Sequence, residues 1–159
     1  MAKKPEEATV IYKPEEDKLV VTGILTAYRQ GTNRFDKENE RYFVSVRAKC
    51  PVAIRSAIRD KYFGDCKDKY IPDVLKKLDE ANDEEEVYFN LKSLYEIPAY
   101  HVDKGNQRYN YDDVIELGEG LPPRGSMVEC AMRLKEGAIY PLAIRFLTVE
   151  KTSVDDYFS

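Results

Sequence analysis

Tryptophan is absent from this sequence, histidine occurs once and cysteine three times. Each scarcity removes a class of chemistry. A zinc centre needs converging Cys and His ligands, whereas Cys50, Cys66, Cys130 and His101 are scattered singly and form no C-x-x-C pair. A Ser-His-Asp or Cys-His arrangement would have to use His101, which sits in the polar stretch HVDKGNQRYNYDD and reads as an exposed loop residue. Three cysteines make no disulfide scaffold and fit a reducing, cytoplasmic compartment. No run approaches the ~20 apolar residues of a membrane span. The opening MAKKPEEATV has lysines but no apolar core after them, so it does not read as a secretory signal. Gly118, Gly120 and Gly125 are not followed by the Gly-Lys-Ser/Thr of a phosphate loop and read as turn residues.

What is present is charge and tyrosine. Charged residues make up 34% of the chain, and the net charge of −4 hides an asymmetry. Residues 18–78 carry fourteen basic and seven acidic side chains, net +7, and the next eight residues, DEANDEEE, carry six acids and no base. A basic body beside an acidic run means that the overall balance says little about partners. The acidic run reads as a solvated helix end.

The pattern is mainly β with a helical insertion. TVIY and KLVVTGILTAYR are β-branched runs joined by the turn KPEED, and Gly23 inside the second marks a bulge or sharp bend. The loop QGTNRFDKEN leads to ERYFVSVRAK. Pro51 then opens a predicted helix, PVAIRSAIRDKYF, with Val52, Ile54, Ala57 and Ile58 inward and Arg55, Arg59 and Lys61 outward. Pro72 opens a second predicted helix, PDVLKKLDEAN. EEVYFNLKSLYEIPAY alternates as a strand, and SMVECAMRLKEGAIYPLAIRF reads as a hairpin turning at residues 135–137, with Val128, Cys130, Met132 and Leu134 inward. Five antiparallel strands with helices between the second and third suggest an OB-like barrel over residues 1–151, followed by a short tail, 152–159. A generic α+β sandwich would give the same pattern.

Alternation in ERYFVSVRAK puts Tyr42, Val44, Val46 and Ala48 on one face and Arg41, Phe43, Ser45, Arg47 and Lys49 on the other. Cations among exposed rings are what a single-stranded nucleic acid requires: the cations meet phosphates and the rings stack bases. Tyr88, Asn90 and Lys92 carry the mixture on a neighbouring strand. So do two loops, one with Tyr28, Arg29, Arg34 and Phe35, the other with Tyr100, Arg108, Tyr109 and Tyr111.

The stretches VTGILTAYRQGTNRFDKENERYFVSVRAK, VYFNLKSLYEIPAY and PPRGSMVECAMRLKEGAIYPLAIRFLTVEK together resemble the OB-fold single-stranded DNA-binding proteins of bacteriophages and conjugative plasmids. The resemblance spans residues 18–151 as a pattern of strands and loops, and the position of the helices is similar to the podophage branch. It implies transient coating of exposed strands during replication, recombination or transfer, with no cofactor and no turnover. It also implies that an acidic-aromatic tail, here Asp155, Asp156, Tyr157 and Phe158, recruits replication or recombination proteins.

Two other readings stay open. Asp112, Asp113 and Glu116 are close enough in sequence to hold Mg²⁺ in a nuclease, and Pro72-Asp73 is similar to the start of a restriction-type motif. The Asp/Glu-x-Lys that should follow on a strand is absent; the triplet Asp65-Cys66-Lys67 precedes it. A non-enzymatic protein-binding module would instead use the acidic run and the tail as its contacts.

Overall fold

The computed structural model describes residues 10–33, 36–102, 105, 107–118 and 123–150, with residues 31–33, 36–41 and 68 described by backbone alone. Eight strands form one antiparallel-dominated sheet: β1 (Val10–Lys13), β2 (Lys18–Asn33), β3 (Asp36–Lys49), β4 (Glu86–Ser93), β5 (Ala99–His101), β6 (Gln107–Tyr109), β7 (Met127–Lys135) and β8 (Ala138–Phe146). Two α-helices interrupt them, α1 (Val52–Tyr62) and α2 (Tyr111–Leu117). The ladder order is β4-β3-β2-β7-β8-β5-β6, with β1 added to β2. The expected closed barrel of five strands is not what forms. The sheet has eight strands and is open, and β4 runs beside β8 without ladder pairing among the described residues. Among the described residues no helix is long and apolar enough to cross a membrane.

β2 organises the sheet because it changes neighbours along its length. On one edge Lys18–Val21 pair with β1, and from Ile24 onward that edge belongs to β3. On the other edge residues 18–24 pair with β7. Gly23 sits where the first edge changes hands. A Cβ there would lie 2.4 Å from the carbonyl oxygen of Arg47 and 2.8 Å from the Cβ of Ala48. The bend expected at Gly23 is therefore a close backbone approach, and the register slip comes later, between Leu25 and Ala27.

The core is one cluster gathered from every long strand, including Leu19, Val21, Leu25, Val44, Val46, Phe89, Leu91, Cys130, Met132 and Ile144. Burying each such Leu, Ile or Val fully is worth ~1.5–3 kcal/mol. Val128, Cys130, Met132 and Leu134 face inward as their alternation requires, and the β7–β8 hairpin turns where glycine and acid suggested. Burial pushes the Cys50 thiol up to about 11 and the Cys130 thiol up to about 12, so both remain protonated at neutral pH.

The helical insertion departs from expectation at Ala57, which is exposed and not inward, and in three further places. First, Arg55, placed outward on α1, is buried: its guanidinium donates to the Cys50 and Asn82 carbonyls and to Glu85, each at 3.0 Å. Second, the helix expected after Pro72 shrinks to a single 3₁₀ turn, Asp73–Leu75. Lys76 is already extended, with ψ of 155°, and Lys77 is left-handed, with φ of 54°, so no helix propagates past Leu75. Val74 and Leu75 still bury, so the apolar stripe survives without its helix. Third, the acidic run is solvated as expected but ends no helix. Asn82 accepts the amides of Glu84 and Glu85, and Asp83 accepts the amide of Val52 at the start of α1. The Arg55 network holds this turn against the end of β3.

His101 is likewise not an exposed loop residue. It lies buried on β5, edge-on to Tyr109 with ring centroids 6.3 Å apart.

Candidate nucleic-acid interface

The register of β2, β3 and β4 decides which side chains share a surface. Phe43 stands between Arg29 on β2 and Lys92 on β4, giving a row of cation, ring and cation. The Arg29 guanidinium carbon lies 4.6 Å from the Phe43 ring centre, a cation–π contact that holds the ring on the outer side of the sheet. One row along, Ala27, Ser45 and Asn90 are aligned, and Ser45 donates to the Asn90 side-chain oxygen at 2.6 Å. The next row pairs Arg47 with Tyr88, whose side is half exposed. Lys49 follows, opposite Glu86. Arg41 shares this face by register, opposite Gly31.

Two of these cations are already occupied. Arg47 ion-pairs with Glu86, and Lys49 lies 3.2 Å from Glu84. Both pairs are substantially exposed, so each contributes little to stability. Their consequence is chemical. The carboxylates of Glu86 and Glu84 neutralise two of the cations on this face. Sequence reasoning missed this, because it needs the Lys49–Glu86 register and the Arg55 network rather than composition.

Other expected contributors lie elsewhere. Tyr28 is buried rather than at a hairpin tip, because β2 continues to Asn33. Its hydroxyl donates to the Ile97 carbonyl and its ring stacks on Tyr111 at 5.4 Å. Burial raises the Tyr28 phenol above its ordinary value, helped by the nearby Glu96. Tyr111 also meets Tyr42, which lies on the core face of β3, so Tyr111 packs on the reverse side of the sheet from Phe43. Tyr109 packs partly against the core. Tyr100 and Arg108 pair with each other on the β5–β6 hairpin. Three strands, β2, β7 and β8, separate that hairpin from β3 along the ladder. Arg34, Phe35 and the tail residues Asp155, Asp156, Tyr157 and Phe158 lie outside the described residues.

Of the acids weighed as Mg²⁺ ligands, Asp113 has a structural role. Asp113 closes a capping box at the start of α2, its carboxylate accepting the Asn110 amide at 3.0 Å while Asn110 accepts the Asp113 amide at 2.8 Å. Asp73 pairs with Lys76 at 3.4 Å. Among the described residues no three His, Cys, Asp or Glu side chains converge as a metal site.

Compared with known protein families, with curated proteins and with solved structures, the chain matches none.

Proposed function

We propose that this protein binds single-stranded DNA without sequence preference, on the outer face of β2, β3 and β4. The observation that carries the reading is the Arg29–Phe43–Lys92 row, followed by Ser45–Asn90 and Arg47–Tyr88. Phe43 and Tyr88 would stack bases, with Arg29, Arg47, Lys49 and Lys92 placed for phosphates and Arg41 one register position beyond Phe43 on the same face. Neighbouring residues on one side of a strand repeat every ~6.8 Å, close enough to follow successive nucleotides of an extended chain. The fold supports an OB-like reading as well. Counting the long strands alone, β2, β3, β4, β7 and β8 follow the order 3-2-1-4-5, with α1 after the second of them. An OB-fold uses its second and third strands for oligonucleotides, which here are β3 and β4. Protection of exposed strands during replication, recombination or transfer, without a cofactor or turnover, is the role this surface suits.

The test is fluorescence anisotropy with a labelled strand of roughly thirty nucleotides, single and duplex, at 50 and 200 mM salt. Single-strand preference with steep salt weakening is expected. Equal binding of duplex, or none at 50 mM, overturns the reading.

Glu84 and Glu86 enter as competitors of the strand. The variant carrying both Glu84→Gln and Glu86→Gln should bind single-stranded DNA about three- to tenfold more tightly at low salt, because two cations no longer exchange a carboxylate for a phosphate. Its stability should change by less than ~0.5 kcal/mol, both side chains being exposed. Unchanged affinity would place Arg47 and Lys49 off the path.

A further inference from the structure

A second basic surface lies outside the face described above. Arg59 on α1 and Lys69, Lys76 and Lys77 from the segment after it line an open pocket of about 410 Å³. Like charges gathered around one concavity repel, and a bound anion relieves that cost. Described neighbours supply some of that relief. Asp73 takes Lys76 at 3.4 Å, Arg59 donates to the Leu75 carbonyl at 3.4 Å, and Lys69 lies 5.0 Å from the centre of the Tyr70 ring. Among the described residues no carboxylate ion-pairs with Lys69 or Lys77. The four cations come from α1, from the 3₁₀ turn Asp68–Tyr70 and from the residues after the Asp73–Leu75 turn, where Lys76 is extended and Lys77 left-handed.

The pocket also connects to the candidate interface. Lys69 and Lys76 are shared with an adjoining cavity of about 380 Å³ that reaches Tyr88 and Asn90. Tyr88 and Asn90 are members of the outer β3–β4 rows. An extended strand leaving Tyr88 along the edge of β4 therefore enters a concavity ringed by cations.

We propose that this pocket binds backbone phosphates of the same single strand, extending its path from Tyr88 to the turn between α1 and β4. The proposal rests on the single-strand reading above. The four side chains that line the pocket are all basic and suit phosphodiester charge, a contact indifferent to sequence, with the exposed Tyr70 ring beside Lys69 at its edge.

The experiment compares the full chain with a variant carrying Lys69→Gln and Lys77→Gln, both exposed positions, by anisotropy on the thirty-nucleotide strand across 50–200 mM salt. A control carries Lys13→Gln and Lys18→Gln at the β1–β2 hairpin. Loss of two phosphate contacts should lower the salt slope by about 1.4 and weaken binding about five- to tenfold at 50 mM. The control should hold the wild-type slope, and all three proteins should keep the same melting temperature. A wild-type slope in the pocket variant overturns this proposal while the β3–β4 reading stands. Failure of the wild-type protein to bind single strands overturns both. Saturable binding of inorganic phosphate, abolished in the pocket variant while its DNA salt slope stays wild-type, would assign the pocket to a free anion and overturn the strand path.

Discussion

Replacing Gly23 with alanine should lower stability by about 2–3 kcal/mol, although alanine is usually the better residue in a strand. Two effects oppose each other. Alanine restricts the unfolded chain and on that account stabilises by ~0.4–1 kcal/mol. Against this, the new Cβ would lie 2.4 Å from the Arg47 carbonyl oxygen, 2.8 Å from the Ala48 Cβ and 3.0 Å from a Val46 methyl. The first of these is backbone and the others belong to buried residues, so no flexible side chain can swing aside. Overpacking of this kind costs ~1–3 kcal/mol and more when a strand must move. The steric effect wins. Because β2 passes from β1 to β3 at this point, the displacement would be felt on both sides. A melting temperature lower by about 5–10 °C is expected for a chain of this size, read by thermal denaturation. An unchanged midpoint would show that β2 and β3 do not meet so closely.

Phe43→Ala should be the most damaging single change for binding. A base stacked on an aromatic side chain is worth ~1–3 kcal/mol, which is roughly a 5- to 150-fold loss of affinity. The loss should be similar across strand sequences, since every base has a π-face. Removing the ring also frees Arg29, which now lies over it, and that side chain can partly offset the loss by meeting a phosphate. Phe43→Leu separates stacking from packing: it retains apolar bulk on β3 but has no ring, and should lose nearly as much affinity with little change in stability. Phe43→Tyr should bind nearly as wild type. Anisotropy on pyrimidine and mixed-sequence strands measures all three. Retention of wild-type affinity by both the alanine and leucine variants would remove the outer β3–β4 face from consideration.

The strands were the legible part of the fold because a period of two survives any tertiary arrangement. ERYFVSVRAK, VYFNLK and MVECAMRL bury the side that their alternation assigns. Gly23 was legible as a special position, though not as the point where β2 changes partners. The second helix is misread from sequence because Pro72, Val74, Leu75 and Leu78 supply start and apolar face, while the stop, an extended Lys76 before a left-handed Lys77, carries no glycine or proline to announce it. Arg55 and His101 were misread for a related reason. A cation at helical spacing and a histidine in a polar stretch look exposed until the partners that bury them are known.

The sequence by itself determined the β-rich class, the inward faces, the hairpin at residues 135–137 and the concentration of cations between residues 18 and 78. These follow from local periodicity and composition, which each segment carries alone. Tertiary structure decided that Arg29, Phe43 and Lys92 form one row, that Tyr28 and Tyr111 pack together away from it, and that Glu84 and Glu86 reach Lys49 and Arg47. It also decided that four cations, one from α1 and three from residues 69–77, surround one pocket. Each of these is a juxtaposition between distant segments, set by strand register and by buried anchors such as Arg55, and no local pattern encodes it.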